Sequence, residues 1–481
     1  MNRTLPQDWV RDVEARLALA HKAFLRRYPG SSAGREPIHV VYGGAHLFRA
    51  STARRLGELA LRSMDEYAPD FSIFAKAVGL VGCETLPDPA EALAAIAKAI
   101  ENNPQKAKQE NRPAWFAHTI YRRVREKLQR EAVEDLRIDF EDGYGNRTDE
   151  EEDGHAVAAA SEVHAGMQAG ELPPFIGIRI KPLNDELRAR SIRTLDIFLT
   201  ELASKSQGKL PAHFCVTLPK ISVPDEAAAL ADICSQLEPM LEFEPGALRI
   251  ELMIETPHAI LNERGEVNLL PLITASRGRC VAAHFGPYDY TASSNIAAAH
   301  QPIAHPASDF ARTNMQVALA GTGVRIADGP TNIMPIPPHR AGKDDAALSV
   351  RQLEQNRAAV HRAWKIHFDN IRRSLANGFY QGWDLHPAQL PVRYAAVYSF
   401  FLENLDATSE RLRNFVEKAA QATRVGQVFD DAAMAQGLLR YFTQAINCGA
   451  MTAEEMEGLT GLSQAELRGG SFVKIVEGRR A

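Results

Sequence analysis

The chain has 481 residues, 45% hydrophobic and 24% charged, enough to bury a large core and to exclude a disordered tail. Its 55 basic and 60 acidic residues leave a formal net charge of −5, which argues against nucleic acid as a main partner, since phosphate binding needs a basic face. The five cysteines form no C-x-x-C pair, so neither a disulfide framework nor a zinc site is expected. No 18-residue apolar run occurs, and the charged start, Met1 to Arg27, lacks a signal-peptide core. The expectation is a reduced, cytoplasmic globular protein.

Eight short apolar segments recur along the chain: Pro37–Tyr42 closed by Gly43-Gly44, Leu136–Phe140, Phe175–Ile180, His213–Leu218, Arg249–Ile254, Cys280–Phe285, Val324–Ala327 and Gly382–His386. Most are nearly continuous apolar runs, as strands of a parallel sheet covered on both faces would be. Helical patterns fill the gaps, for example Pro224 to Leu237 after its Pro-Asp start. Eight alternating strand and helix units predict a (β/α)8 barrel. The gap between the first two strands is too long for one crossover and reads as an insertion of about residues 70–130. It holds a helix over Pro87 to Asn103 and a polar stretch around 104–112. The expected division is an N-terminal helical arm (1–36), the barrel (37–392) and a C-terminal helical domain (393–481). The acidic run Asp149 to Asp153 reads as a solvated loop.

Residues at the C-terminal ends of barrel strands face the active site. Strand two ends in Asp139-Phe140-Glu141-Asp142, strand three in Arg179-Ile180-Lys181 and strand four in Leu218-Pro219-Lys220. Strand five ends in Ile254-Glu255-Thr256, and strand six in Gly286-Pro287-Tyr288-Asp289. Glu255 and Asp289 thus sit on neighbouring strand ends, and two hard oxygen ligands with room for water and substrate suit Mg²⁺. Arg179 could share a substrate oxygen with that metal and steady the enolate formed when a C–C bond beside a carbonyl breaks. A plain ion pair of Arg179 with Glu141 or Asp142 is the alternative, and both roles are compatible. Lys220 divides evenly between supporting the site and a rim salt bridge. His46, His258, His284, His305 and His339 read as packed histidines, lacking the spacing of a metal or triad site.

These strand-end words, with Ile254-Glu255-Thr256-Pro257, Phe285-Gly286-Pro287-Tyr288-Asp289 and His386-Pro387-Ala388-Gln389, resemble the HpcH/HpaI aldolase/citrate lyase family of the phosphoenolpyruvate/pyruvate barrel superfamily. The resemblance implies that Glu255 and Asp289 bind Mg²⁺ or Mn²⁺ and that Arg179 binds the substrate oxo group. Glu141 and Asp142 would hold waters on the metal. Gly286, Tyr288 and Asp289 would bind the substrate, its carboxylate on the backbone N–H groups of Tyr288 and Asp289. Asp142 stands where the family's smaller aldolases carry a histidine base, which favours the longer lyase branch.

Outside the barrel, Phe429-Asp430-Asp431-Ala432-Ala433-Met434-Ala435-Gln436 resembles the Met-Glu-Asp-Ala-Ala-Thr-Ala-Glu word of malate synthases. By position, Asp431 is then the catalytic acid/base, delivered over the barrel mouth from the same chain or a neighbouring subunit; an ordinary helix N-cap is the bland alternative. The implied activity is metal-dependent carbon–carbon cleavage of a small hydroxy acid or its CoA thioester. The other readings are condensation of an acyl-CoA with a 2-oxo acid, as in malate synthases, and a non-catalytic metabolite-binding barrel. Homo-oligomerisation is expected; nucleic acid and membrane partners are not.

Overall fold

A computed structural model describes residues 4–30, 34–340, 347–421 and 432–468, with Phe472, Ile475, Gly478 and Arg479 beyond them. Eight strands form a closed parallel barrel in chain order: β1 (His39–Gly44), β2 (Asp135–Asp139), β3 (Phe175–Arg179), β4 (Cys215–Leu218), β5 (Arg249–Ile254), β6 (Cys280–Phe285), β7 (Arg325–Pro330) and β8 (Gln381–Asp384). β8 closes the circle on β1 through His39↔Gly382 and Val41↔Asp384. The (β/α)8 barrel predicted from the sequence is the fold, and all eight expected segments carry its strands.

Helix α1 (Gln7–Arg27) precedes the barrel and buries none of its residues. Between β1 and β2 lie α2 (Thr52–Tyr67), α3 (Phe71–Val78), α4 (Ala90–Asn102), α5 (Pro104–Glu110) and α6 (Arg112–Glu131). The later crossovers contain α7 (Asp149–Ala169), α8 (Arg188–Ser206), α9 (Pro224–Met240), α10 (Pro257–Ile260), α11 (Leu269–Ala275), α12 (Pro287–Ser293), α13 (Pro306–Leu319) and α14 (Val350–Ala376). After β8 come α15 (Leu390–Glu403), α16 (Leu405–Gln421), α17 (Ala432–Asn447), α18 (Ala453–Thr460) and α19 (Gln464–Arg468).

The acidic run Asp149–Asp153 is not a solvated loop but the first turn of α7. Thr148 Oγ1 accepts the Glu151 N–H, and Glu151 reaches back to the Thr148 amide. Negative charge is favourable at a helix N-terminus. Three of the acids also find cations from elsewhere: Asp149 lies 3.3 Å from Arg190 Nη1, buried Glu152 takes Lys181 Nζ at 2.6 Å, and Asp153 takes Arg193 Nη2 at 2.6 Å. On α9, Glu226 returns to the amides of Ser222 and Val223, so the Pro224 start is a capped one, as its sequence predicts.

The barrel interior is polar. Buried Arg137 on β2 lies against both carboxylate oxygens of Asp135, reaches Glu251 Oε2 at 2.8 Å and donates to Thr217 Oγ1 at 3.1 Å. Glu251 also accepts from Thr217 Oγ1 at 2.7 Å and from the Tyr42 hydroxyl at 3.3 Å. His284 Nε2 stands 2.9 Å from its other oxygen. Burial opposes the Glu251 charge, but Arg137 and His284 outweigh it and hold the carboxyl well below its usual range. A buried charge needs saturation of this kind, because its desolvation costs several kcal/mol. Tyr42 joins this network to the chamber above it.

Candidate active site

The C-terminal strand ends surround a cavity of about 380 Å³. Tyr42, Arg179, Glu255, Gly286, Tyr288 and Asp289 are among its lining residues. Of the residues expected from sequence, Arg179, Glu255, Asp289, Asp142, Gly286 and Tyr288 line this one chamber, and Glu141 touches it through Arg179 and Lys220. Asp431 lies outside the described residues.

Arg179 is fixed by Asp139, directly opposite it in the β2–β3 register. Nε and Nη2 donate to the two carboxylate oxygens at 2.7 and 2.6 Å. Asp139 in turn gathers the following loop by accepting the amides of Glu141 (3.0 Å) and Gly143 (2.7 Å). The guanidinium carbon lies 4.7 Å from the Tyr42 ring centroid and 5.7 Å from that of Trp383. Only Nη1 is left without a hydrogen bond, 3.2 Å from Glu141 Oε2 and 3.8 Å from Asp142 Oδ2. Most of the guanidinium is a structural ion pair, made chiefly with Asp139 rather than with the expected Glu141 or Asp142, and one nitrogen is left over.

Glu255 follows β5 and is 2% exposed. Its Oε1 accepts the Lys220 amide at 2.7 Å, a contact made with Lys220 in the left-handed region at φ 51°. That conformation is uncommon for a non-glycine residue, and such strain is found where a site demands it. A Cβ on Gly286 would stand 2.6 Å from both Cβ and Oε2 of Glu255, so a side chain there would displace the carboxylate. Burial, with Asp289 and Glu141 adding to it against the pull of Lys220, pushes the Glu255 carboxyl up to about 8.

Lys220 Nζ contacts Glu141, lies 3.1 Å from Asp142 Oδ1 and 3.9 Å from Asp289 Oδ1. It bridges the acids of two strand ends, those of β2 and β6, a rim salt bridge set within the site. Burial raises the Glu141 carboxyl, whereas Arg179 and Lys220 hold Asp142 low in spite of burial. Five carboxylates (Asp139, Glu141, Asp142, Glu255 and Asp289) thus crowd around two cations, Arg179 and Lys220.

That imbalance, with a carboxylate made basic chiefly by its burial, fits a divalent cation held by hard oxygen donors. Among the described residues no set of three or more His, Cys, Asp or Glu is arranged to hold a metal.

Of the five histidines expected to be packed, His284 is buried, His46, His305 and His339 are partly buried, and His258 is exposed. His46 packs against Tyr144 and His155, His305 caps α13, and His339 faces Gln355. His258 lies in the short helix α10, its carbonyl accepting from Asn268. His284 lies in the interior network, where its Nδ1 is 3.2 Å from the Tyr42 hydroxyl. Sequence reasoning missed Asp139, Tyr42 and Trp383 as parts of the site. A signal for Asp139 was present, since it shares a strand face with Glu141 two residues on.

The C-terminal helices lie elsewhere. Arg440 and Gln444 of α17 line a different cavity, with Ile38, Arg325 and Gln381 at the N-terminal ends of β1, β7 and β8. No described residue beyond Leu405 lines the mouth chamber. The expectation of a helical domain standing over the mouth is therefore not met by the described part of this chain.

A model of the family described as "Domain of unknown function (DUF6986)" matches residues 17–475. No curated protein matches the sequence. Similar solved structures include a citrate lyase from Burkholderia xenovorans LB400, 18% identical with a TM-score of 0.48, covering 71% of this chain and 92% of that one. A Haloferax volcanii malate synthase in a pyruvate/acetyl-CoA ternary complex is 18% identical, with a TM-score of 0.39 over 58% of this chain and 65% of that one. Protein CitE from Mycobacterium tuberculosis, in complex with magnesium and pyruvate, is 17% identical, with a TM-score of 0.35 over 58% and 86%.

Proposed function

The chain belongs to the DUF6986 family, and we propose that it is a divalent-metal-dependent carbon–carbon lyase acting on a small hydroxy acid or its CoA thioester. The observation that carries this reading is the excess of carboxylates over cations in the mouth chamber, with Glu255 buried beside Asp289. The order of strand-end words resembling the aldolase/citrate lyase family supports the reaction class and is the ground for including CoA thioesters.

Glu255 and Asp289 would hold Mg²⁺ or Mn²⁺, which supplies Lewis-acid polarisation of a chelated substrate oxygen. Arg179 Nη1 offers positive charge to the oxygen that becomes negative as the C–C bond breaks. Asp139 and the Tyr42 face hold that nitrogen in place beforehand, so little reorganisation is needed during reaction. The amides of Tyr288 and Asp289 belong to the first turn of α12, where N–H groups have no partner within the helix, and would take the substrate carboxylate. Glu141 and Asp142, steered by Arg179 and Lys220, would orient waters beside the metal ligands.

Asp431 is the proposed base that accepts the substrate hydroxyl proton in cleavage, and as the conjugate acid it returns a proton in condensation. Helix α17, which begins one residue later, carries Arg440 and Gln444 at the opposite end of the barrel from the mouth. As the family resemblance allows, we propose that Asp431 serves the mouth of a neighbouring subunit in a homo-oligomer. The exposed Trp9, Leu19, Phe24 and Leu25 of α1 are apolar surface that self-association would cover.

Incubation with Mg²⁺ and malyl-type CoA thioesters, and separately with glyoxylate plus acetyl-CoA, tests the reading by product analysis. Mg²⁺-dependent cleavage is expected, with condensation as the same transition state approached from the other side. Absence of any metal-dependent C–C product from either mixture contradicts it.

A further inference from the structure

A second cavity, of about 340 Å³, opens at the N-terminal end of the barrel, where β1, β7 and β8 begin. Its polar lining includes Glu36, Arg325, Gln381, Arg440 and Gln444. Two of these side chains carry buried atoms without partners. Gln381 is 5% exposed; its Nε2 donates to Asp135 at 3.3 Å, but its Oε1 meets no donor. Arg325 Nε is likewise buried without an acceptor. Among the described residues Arg325 makes no ion pair; its guanidinium only packs over the Phe175 ring, 5.4 Å from the centroid.

An orphaned buried donor and an orphaned buried acceptor on adjacent strands are costly unless something else satisfies them. The nearby acids do not satisfy Arg325: Asp135 is taken by Arg137 and Gln381, and Glu36 Oε2 accepts from Gln444 at 3.1 Å. The Gly321-Thr322-Gly323 turn, which is not a nucleotide loop, forms part of the wall. Both glycines adopt positive φ (76° and 80°), and Gly321 O accepts the Gly30 amide at 2.9 Å.

We propose that this cavity is a second binding site, separate from the mouth, for a small oxyanion that also carries a hydroxyl or amino donor. The oxyanion pairs with the Arg325 guanidinium, and the donor satisfies Gln381 Oε1. Because Arg440 and Gln444 belong to α17, the ligand bridges the start of the barrel strands and the C-terminal helices.

Calorimetric titration of the full chain in EDTA, with inorganic phosphate, glycerol 3-phosphate and lactate as separate probes, tests the proposal. Binding of either phosphate compound or of lactate supports an oxyanion site, and which probe binds separates phosphate from carboxylate chemistry. The Arg325→Met variant is expected to lose about tenfold or more in affinity, the value of one charge-assisted hydrogen bond. Glycerol 3-phosphate is expected to bind more tightly than inorganic phosphate, through the added hydroxyl. No binding of any probe, or unchanged binding by Arg325→Met, overturns the site; equal affinity for the two phosphates overturns the role of Gln381. Should the variant fail to fold, hydrogen exchange of the wild-type chain decides. Ligand-induced protection over residues 319–326 and 378–381 supports the proposal, and protection confined to residues 286–289 overturns it.

Discussion

Arg179 and Asp139 stand opposite one another across β2 and β3 and form a two-point ion pair, Nε to Oδ1 at 2.7 Å and Nη2 to Oδ2 at 2.6 Å. This pair leaves a single guanidinium nitrogen free of hydrogen bonds, so the orientation of that nitrogen is set by a carboxylate that the Glu141 and Gly143 amides also hold. Replacing Arg179 by Lys removes the two-point geometry while keeping the charge. A fall in kcat of about 10²–10³-fold is expected, in the range of lost preorganised oxyanion donors. Asp139→Asn is expected to lower kcat with little change in KM, since it loosens the orientation rather than the binding. Steady-state kinetics on both variants checks this.

The interior network makes a separate claim about stability. Arg137→Met strands Asp135 and Glu251 in the barrel interior without their cation, and a loss of about 3–5 kcal/mol is expected. Removing Glu251 as well, in Arg137→Met/Glu251→Leu, is expected to recover part of that loss. Urea unfolding of the wild type and the two variants measures both effects; equal stability of the single variant and the wild type would remove the network from the account.

The raised Glu255 carboxyl fixes the pH dependence of metal uptake. Its pKa in the metal-free protein lies at about 8, so below pH 8 the group carries a proton that a metal must displace. Affinity for Mg²⁺ should rise as pH increases toward 8 and level off above it. In the folded metal-free protein the same shift has the opposite sign for stability. The contribution is complete below the ordinary carboxyl range and is lost as pH rises through about 8. Calorimetry at pH 7 in two buffers of different ionisation enthalpy should show close to one proton released per metal, and little release at pH 9.

If Asp431 serves a neighbouring mouth, two inactive proteins can repair one another. Glu255→Gln and Asp431→Asn are each expected to be inactive alone. Mixed oligomers assembled from both should regain activity, because some mouths combine an intact metal site with an intact Asp431. Continued inactivity in verified mixed oligomers would return Asp431 to its own chain or remove it from the reaction.

Much of the fold was legible because a parallel strand covered on both faces must be written as a short apolar run, and eight such runs are visible from Pro37 to His386. Glu255 and Asp289 were legible for a related reason: polar residues directly after such runs mark the mouth of a barrel. Asp139 was harder to read, because its role depends on the register that sets it against Arg179. Arg137 and Glu251 were harder still. They lie inside segments read as apolar, and they find each other across the barrel from positions 114 residues apart. The Asp149–Asp153 run misled because its charges suggest solvent, whereas Thr148, Lys181 and Arg193 make it a capped and partly paired helix start.

The central claim is that Glu255 and Asp289 together bind a divalent cation in the mouth chamber. Calorimetric titration of Mg²⁺ into the wild type, Glu255→Gln, Asp289→Asn and Gly286→Ala measures it directly. Binding at one site in the wild type, and its loss in both ligand variants and in Gly286→Ala with the folds intact, is the predicted result. Unchanged Mg²⁺ affinity in both Glu255→Gln and Asp289→Asn would contradict the account.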